Sequence, residues 1–235
     1  MNIVGLIPAA GRGKRLRPLT DKTPKPLIEI CGKPLIMYAI NHLCSIGVKE
    51  IIIALHYKKN KIKKFLESIK LNVPIKYCYP DELLGLAYTI YSARELISST
   101  FVVHLADNIF TENCRYAIEE HIRKNADATL VVEKGDPENR YETILMKNSK
   151  ILDIVEKAKF SYGYRGTGIY IFEPTIFKYC EGLRESERGE IELQDAIKNM
   201  IKNGKNVFGV PLKGKRVEIT TEEDIKRAER TLGCG

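Results

Sequence analysis

The sequence predicts an α/β protein built on a doubly wound, mostly parallel sheet with helices on both faces, followed by a small mixed-sheet lobe. Two observations support this fold class. Short β-branched runs alternate with amphipathic helical patterns through the first half, and strands then follow one another without long helices in the second half. Crossovers through helices of that length are right-handed and place neighbouring strands in parallel.

The first half repeats a strand and helix rhythm. Runs such as "EIIIAL" (50–55) and "FVVHLA" (101–106) are short and apolar, as buried strands are. The predicted strands cover residues 3–8, 50–55, 74–78 and 101–106, and the predicted helices cover residues 35–46, 60–70 and 86–97. In a Rossmann-like sheet of this kind, ligands bind beyond the carboxyl ends of the strands.

The second half has a different pattern. Strands are predicted at 128–133, 143–146, 151–155 and 168–172, and helices at 191–202 and 222–232. No linker, low-complexity segment or internal repeat interrupts the sequence. We therefore expect a single domain over residues 1–235, divided into halves at 1–125 and 126–235.

Composition excludes several classes of protein. The chain is 44% hydrophobic and 29% charged, and no apolar run approaches the ~20 residues of a membrane span. The N-terminal residues lack a signal-peptide pattern, so we expect a soluble, cytoplasmic protein with no membrane partner. Its six cysteines are widely spaced without a C-x-x-C pair, which argues against a zinc cluster or a disulfide framework and favours small core residues.

The net charge of +8 raises the alternative of a nucleic-acid-binding protein. Part of the excess lies in "YKKNKIKKF" (57–65), where apolar residues recur at helical spacing and leave the lysines on a solvated face. No nucleic-acid-binding signature accompanies this run. We therefore expect no nucleic-acid partner, because a small polyanionic substrate also accounts for a basic surface.

The segment "IPAAGRGKRLRPLTDKTPKPL" (7–27) follows the first predicted strand directly. Gly11 and Gly13 permit the positive φ angles and close backbone approach of a phosphate-binding loop. The segment matches neither the G-x-G-x-x-G dinucleotide pattern nor a P-loop. Its four prolines predict an extended shape, with Lys25 held between Pro24 and Pro26. Six cations are available to neutralise a triphosphate: Arg12, Lys14, Arg15, Arg17, Lys22 and Lys25.

Together with "GKPLI" (32–36), this segment closely resembles the signature of the sugar-1-phosphate nucleotidyltransferases, or nucleotide-sugar pyrophosphorylases. Further segments resemble the family in the same order: "LGLA" (84–87) its base-binding loop, "LADN" (105–108) its metal aspartate, and "VEK" (155–157) and "GTGIYIF" (166–172) its sugar-phosphate strands. The resemblance implies the nucleotide-diphospho-sugar transferase fold. It also implies that the first half binds the nucleotide and the second half binds the sugar phosphate.

The reaction implied by the resemblance joins a sugar 1-phosphate to a nucleoside triphosphate. A phosphate oxygen of the sugar 1-phosphate attacks the α-phosphorus, and pyrophosphate leaves. Because the nucleophile is already an anion, catalysis needs positioning and charge stabilisation rather than a general base. Arg15 and Lys25 match the family's catalytic residues, and Asp107 and Glu218 match its ligands for Mg²⁺.

The remaining site residues are carried over from the same motifs. The nucleotide-binding set is Ala9, Ala10, Gly11, Gly13, Lys14, Arg15, Gly85 and Asp107. The sugar-phosphate-binding set is Tyr141, Glu156, Lys157 and Gly168.

The resemblance is closest to glucose-1-phosphate thymidylyltransferases, because "GLAY" (85–88) and "SERGEIELQDAI" (186–197) resemble their motifs. The latter run is equally compatible with the start of an amphipathic helix. dTTP and glucose 1-phosphate are therefore the first expectation, with UTP, GTP or CTP and another sugar or polyol phosphate as alternatives. Self-association of the chain stays open.

Three departures from the family pattern stand out. "RVEITTEED" (216–224) has Glu218 for the second metal aspartate and no tryptophan at its start, "RYETI" (140–144) has Glu142 for a glycine, and the chain's one glutamine, Gln194, lies outside the base-binding region. A regulatory homologue that binds nucleotide or sugar phosphate without turnover is therefore an alternative of another class.

Overall fold

The computed structural model describes residues 2–135, 143–155, 163–187 and 189–234. Its strands are β1 (Val4–Pro8), β2 (Glu29–Ile30), β3 (Lys33–Pro34), β4 (Glu50–Ala54), β5 (Ile75–Cys78), β6 (Phe101–His104), β7 (Asn108–Phe110), β8 (Ala128–Lys134), β9 (Thr143–Lys147), β10 (Lys150–Val155), β11 (Tyr164–Phe172), β12 (Val207–Pro211) and β13 (Arg216–Glu218).

Helices separate most strands of the first half and resume after β11. They are α1 (Leu19–Lys22), α2 (Leu35–Ile46), α3 (Lys59–Glu67), α4 (Leu86–Tyr91), α5 (Arg115–Arg123), α6 (Ile176–Cys180), α7 (Leu193–Lys202) and α8 (Glu222–Leu232). Short 3₁₀ turns occupy Lys14–Leu16, Lys25–Leu27 and Arg94–Leu96. None of the helices in the described part of the chain has the length and apolar character that crossing a bilayer requires.

The central sheet has nine strands in the order β5-β4-β1-β6-β11-β8-β12-β10-β9. Its four strands from the first half, β5, β4, β1 and β6, pair in parallel. β11 then pairs antiparallel with both β6 and β8, while β12 pairs parallel with β8. The predicted α/β fold is confirmed, and the mixed strands of the second half extend the same sheet instead of lying against it as a separate layer.

Side-chain alternation along the strands builds a core on each face of the sheet. Leu6 and Ile52 point into one hydrophobic cluster, which α4 and α7 cover, whereas Ile7 and Ile51 point into the other, which α2 and α3 cover. This period of two is what a sheet buried on both faces requires. The lysine-rich helix α3 buries the face that the sequence predicts, because its apolar side is buried and most of its lysines are exposed.

A third hydrophobic cluster lies beneath the loop that follows β1. Leu16 of that loop packs with Ile28 and Ile30 near the β2–β3 hairpin, with Ile109 of β7, and with Val217 of β13. Helix α8 closes the cluster from outside, and its first turn is fixed by a capping box between Thr221 and Asp224. The loop, β7 and β13 are therefore all anchored in the third hydrophobic cluster.

One pair of cysteines forms a disulfide, which the sequence did not predict. Cys31 in the β2–β3 turn and Cys234 beyond α8 form a disulfide with their Cα atoms 5.8 Å apart, so the expectation is wrong for these two residues. A separation of 203 residues leaves no local spacing signal. The thiols of Cys44, Cys78, Cys114 and Cys180 are free, and all but the first are buried as expected.

Candidate functional site

A cleft of about 850 Å³ opens at the carboxyl ends of β1 and β6, where a ligand is expected in this fold. Its lining comprises residues 8–16, 25, 26, 83, 85, 86, 89, 105–107, 190 and 220. The fold thus brings together every predicted nucleotide-binding residue and the predicted catalytic pair: Ala9, Ala10, Gly11, Gly13, Lys14, Arg15, Lys25, Gly85 and Asp107.

Four of the six cations predicted to face a triphosphate line this cleft: Arg12, Lys14, Arg15 and Lys25. Arg17 instead pairs with Asp21 at 3.1 Å, and Lys22 is outside the lining, so these two cations do not join the cleft. Lys14 and Arg15 are exposed and form no ion pair within the described residues. Their charges are therefore available to an anionic ligand.

The loop differs from the predicted extended shape, because it folds into short helical turns at Lys14–Leu16, Leu19–Lys22 and Lys25–Leu27. Gly13 has a φ of 63°, and its carbonyl accepts a hydrogen bond from the Thr20 hydroxyl at 3.0 Å. A Cβ there would lie 3.1 Å from the Cβ of Lys25. Gly11 does not have a positive φ, and no atom lies within 4 Å of where its Cβ would be. Only Gly13 thus needs glycine for the turn, while Gly11 leaves the backbone open to the cleft.

Lys25 lies beside Asp107 in the cleft. The Lys25 Nζ donates to the Asp107 Oδ2 at 2.6 Å, and the Asn108 Nδ2 donates to the Asp107 Oδ1 at 2.9 Å. The lysine side chain is 17% exposed and the aspartate 30% exposed. Both carboxylate oxygens therefore have a donor, and one of these donors is a cation, which an incoming phosphate would attract.

Strand pairing places Glu218 opposite Asn108, the residue that follows Asp107. β13 runs antiparallel to β7, and the backbone N–H of Ile219 donates to the Asp107 carbonyl at 2.8 Å. Within the described residues, the Glu218 carboxylate has long contacts, at 3.4 Å, to Arg216 and to the Thr220 hydroxyl. Asp107 and Glu218, from distant parts of the sequence, therefore lie on two segments that pair with each other, and Asp107 lines the cleft whereas Glu218 is not among its lining residues.

Gly85 immediately precedes α4, with a φ of 115°, and packs against the segment before α7. A Cβ at Gly85 would lie 2.7 Å from the backbone nitrogen and oxygen of Ile191. The two segments are joined by hydrogen bonds from Ile191 N to Leu84 O at 2.5 Å and from Ala87 N to Ile191 O at 3.1 Å. Both motifs that resemble thymidylyltransferases therefore meet at one wall of the cleft.

The chain matches the family model described as Nucleotidyl transferase over residues 4–225. The chain belongs to the sugar-1-phosphate nucleotidyltransferase family. The UTP–glucose-1-phosphate uridylyltransferase AglF of Haloferax volcanii is 32% identical over 228 residues, which cover 95% of this nucleotidyltransferase and 94% of the relative. The bifunctional protein GlmU of Methanocaldococcus jannaschii is 35% identical over 97% of this chain, which spans about half (53%) of that relative.

Solved structures agree with this assignment. A putative glucose-1-phosphate thymidylyltransferase from Bacillus anthracis superposes with a TM-score of 0.85 at 28% identity, covering 97% of this nucleotidyltransferase and 94% of that chain. A UDP-glucose pyrophosphorylase complexed with UDP-glucose gives a TM-score of 0.87 with 99% of each chain covered, and at 24% identity it bears on the fold alone. The chain is thus an enzyme of the nucleotidyltransferase class, as predicted.

The donor set of the nucleotidyltransferase fits a hard divalent cation. Asp107 and Glu218 carry carboxylate oxygens, which Mg²⁺ prefers, and Asp107 lines the cleft. Within the described ranges, no three His, Cys, Asp or Glu side chains cluster as a metal cage. A cation here would complete its shell with phosphate oxygens and water, as Mg²⁺ does at phosphate-binding sites.

The structure describes one of the four predicted sugar-phosphate residues of the nucleotidyltransferase. Gly168 has a φ of 90°, its carbonyl accepts from Leu105 N at 2.9 Å, and a Cβ there would lie 2.9 Å from the Asn108 amide nitrogen. Gly168 therefore packs directly behind the Asp107 segment. Tyr141, Glu156, Lys157 and the departure at Glu142 lie outside the described residues.

His104, at the end of β6, is fully buried beneath the site. Its Nδ1 lies 2.9 Å from the Leu105 carbonyl and donates to it. Burial, with a smaller contribution from neighbouring His42, lowers the pKa of His104 to about 3. The imidazole therefore stays neutral, and the charged side chains that line the cleft are Lys, Arg, Asp and Glu.

The sequence prediction missed Arg216 and Glu133. Arg216 is 7% exposed and lies beside Asn108, Glu218 and Glu133. One signal was present, because an Arg two residues before Glu218 on a strand must share its face. Its ion-pair partner on β8 lies 83 residues away in sequence and was not predictable from local pattern.

Proposed function

We propose that the chain transfers a uridylyl group from UTP to glucose 1-phosphate in a Mg²⁺-dependent reaction that yields UDP-glucose and pyrophosphate. The observation that carries the proposal is the composition of the cleft. Lys14 and Arg15, which form no ion pair within the described residues, line it together with the Lys25–Asp107 pair. UTP and glucose 1-phosphate are the substrates named for the Haloferax volcanii relative, which matches this chain over nearly its whole length.

dTTP is the second candidate nucleotide. The Bacillus anthracis structure is named as a putative thymidylyltransferase, and the contact between Gly85 and Ile191 joins the two motifs that resemble those enzymes. UTP and dTTP present the same pairing edge of the base to a protein. The two candidates are therefore separated by measurement of kcat/KM for each triphosphate.

In this proposal the triphosphate lies along the loop after β1. The open backbone at Gly11 allows a phosphate to approach the chain, and Lys14 and Arg15 contribute charge that no carboxylate of the described residues neutralises. Leu16 is buried in the third cluster, so the loop is anchored while its cations face solvent. Binding therefore requires little reorganisation of the backbone.

Lys25 would change partners when the triphosphate binds. In the free protein its ammonium is paired with Asp107. The negative charge on the reacting phosphates exceeds that of one carboxylate, so the ammonium moves to the phosphates and leaves Asp107 available as a ligand. Asp107 and Glu218 would then hold Mg²⁺, which supplies charge stabilisation to the phosphate oxygens.

The bond changes follow from this arrangement. An oxygen of the sugar 1-phosphate forms a bond to the α-phosphorus, the bond from that phosphorus to the bridging oxygen of the β-phosphate breaks, and pyrophosphate carries the electron pair away. Lys25 and Arg15 stabilise charge on the phosphates during this displacement. The second half of the chain, with Gly168 and the predicted Tyr141, Glu156 and Lys157, is proposed to hold the sugar phosphate.

The experiment is a matrix of four triphosphates against glucose 1-phosphate and other sugar or polyol phosphates, with pyrophosphate release as the readout. We expect UTP with glucose 1-phosphate to give the highest kcat/KM, with dTTP next. Calorimetry on the same preparation measures triphosphate binding separately. Tight binding without pyrophosphate release from any pair would favour the regulatory homologue instead.

A further inference from the structure

Arg216 lies at the centre of a buried polar chain that leads from the second half of the sheet to Asp107. Its Nη2 donates to Glu133 of β8 at 2.8 Å, and its Nη1 donates to the Asn108 Oδ1 at 2.8 Å. The same Nη1 has longer contacts, at 3.4 Å, to Thr167 O and to the Glu218 Oε2. Arg216 is 7% exposed and Asn108 is 1% exposed, so both depend on protein partners.

The strand geometry explains why these side chains meet. Arg216 and Glu218 are two residues apart on β13 and therefore share one face, while Val217 between them points into the third hydrophobic cluster. Asn108 lies directly opposite Glu218 on β7 and projects to the same side. One side of this two-stranded ribbon is thus packed, and the other carries polar groups.

The partners of Asn108 fix which way its amide points. A guanidinium can only donate and an ionised carboxylate can only accept, so an amide between Arg216 and Asp107 must turn its oxygen to the arginine and its nitrogen to the aspartate. A rotated amide would present two donors to Arg216 and an acceptor to Asp107. Arg216 therefore determines the donor that orients the Asp107 carboxylate.

We propose that Arg216 is a positioning residue that acts through Asn108 to orient Asp107, and that it also keeps Glu218 on the metal-binding side of β13. The inference rests on the metal role of Asp107 and Glu218 in the proposed function. Glu133 anchors the arginine from β8, and this ion pair offsets part of the positive charge beside the carboxylates. Mutation of a residue that hydrogen-bonds to a metal ligand commonly lowers metal affinity by about 10–100-fold.

The guanidinium shape matters for this role. Arg216 reaches Glu133 and Asn108 at once through different nitrogens, which a single ammonium on a flexible stem cannot reproduce. Arg216→Lys keeps the charge and removes the fork. This variant therefore separates positioning from electrostatics, because a pure charge effect would leave metal binding unchanged.

The experiment measures Mn²⁺ binding by electron paramagnetic resonance, in the presence of a non-hydrolysable triphosphate analogue, for the full chain and its variants. We expect Arg216→Lys to raise the Mn²⁺ dissociation constant about tenfold or more. Arg165→Lys is the matched control, because Arg165 pairs with the same Glu133 at 2.7 Å from the neighbouring strand. The control should stay within about twofold of the wild type.

A second variant tests the route through the amide. On the Asn108→Leu background, Arg216→Lys should cause little further loss, because residues that act through one partner are not additive. Thermal unfolding of each variant gives a check on folding that is independent of metal. An unchanged Mn²⁺ constant in a folded Arg216→Lys variant, or an equal loss in Arg165→Lys, would overturn the proposal.

Metal binding by the triphosphate complex is measured without turnover, so the result stands apart from the transfer reaction. A wild-type protein that binds Mn²⁺ but releases no pyrophosphate refutes the proposed function while leaving the positioning role open to the same comparison. If the wild type catalyses the transfer but Arg216→Lys leaves the Mn²⁺ dissociation constant unchanged, the positioning role alone is refuted.

Discussion

Replacing Lys25 with methionine should change two measurable quantities in opposite directions. The variant keeps the length of the apolar stem and removes the ammonium that lies 2.6 Å from Asp107. At that separation the attraction between two unit charges is about 1.6 kcal/mol in bulk water and about 6 kcal/mol at an effective dielectric of 20. The pair is partly exposed, so its net value is at the lower end of this range.

In the nucleotide-free protein, the ammonium competes with a divalent cation for Asp107. Its removal should therefore strengthen Mn²⁺ binding, by about tenfold if ~1.4 kcal/mol of the attraction is released. During transfer, the same ammonium stabilises charge on the reacting phosphates. Its loss should lower kcat by about 10²-fold or more, or ~3 kcal/mol, with a modest change in the KM for the triphosphate.

The assay pairs nucleotide-free Mn²⁺ titration with steady-state pyrophosphate release. Lys64→Met is the matched control, since it removes the same charge from the exposed side of α3. A Lys25→Met variant with wild-type kcat would refute the catalytic role. Weaker nucleotide-free Mn²⁺ binding in that variant would refute the exchange of partners at Asp107.

Three further predictions follow from other parts of the molecule. Glu218→Gln should raise the Mg²⁺ concentration for half-maximal rate about tenfold, whereas Glu218→Asp should keep activity. A Mg²⁺ titration of both variants checks this. Identical titration curves for Glu218→Gln and the wild type would show that Glu218 is not a metal ligand. The unfolding free energy of the wild type should fall as the pH drops from about 6.5 towards about 3, because an unfolded His104 binds a proton that the buried one, with its pKa near 3, does not. Denaturant titrations should show a shallower pH slope in His104→Asn, by at most ~1.4 kcal/mol per pH unit, and parallel slopes would contradict the assignment. Under denaturing, non-reducing conditions a thiol reagent should count four free thiols, and reduction of the bond between Cys31 and Cys234 should lower stability by about 2–4 kcal/mol; a count of six would disprove the disulfide.

Much of the fold follows from local pattern. Strands β1, β4, β5 and β6 and helices α2, α7 and α8 are close to their predicted positions, because the strands are short β-branched apolar runs and the helices have a period of 3.6 residues. The β2–β3 hairpin was not predicted, because its two-residue turn carries Cys31 and Gly32, both with positive φ, and not the usual Asn-Gly signal. Strands β7 and β13 have three residues each, which is too short for a periodic signal.

Part of the candidate site was predictable from the sequence, and part was not. The loop after β1 and Asp107 follow strands directly, so topology alone brings them to one edge of the sheet. The roles of Arg216 and Glu133 depend on a strand pairing and an ion pair between distant segments, which no local pattern encodes. Gly11 was predicted to permit a positive φ and a close backbone approach; its φ is not positive, and the lack of atoms within 4 Å of where its Cβ would lie leaves the loop backbone accessible.

The most direct test of the central claim is a product balance with UTP, glucose 1-phosphate and Mg²⁺, followed by ³¹P NMR. The account predicts that UDP-glucose and pyrophosphate appear in equal amounts, that neither forms when glucose 1-phosphate is left out, and that added pyrophosphate drives UDP-glucose back to UTP. Pyrophosphate or inorganic phosphate formed without glucose 1-phosphate, or no product from any triphosphate and sugar phosphate despite measurable binding, would contradict it.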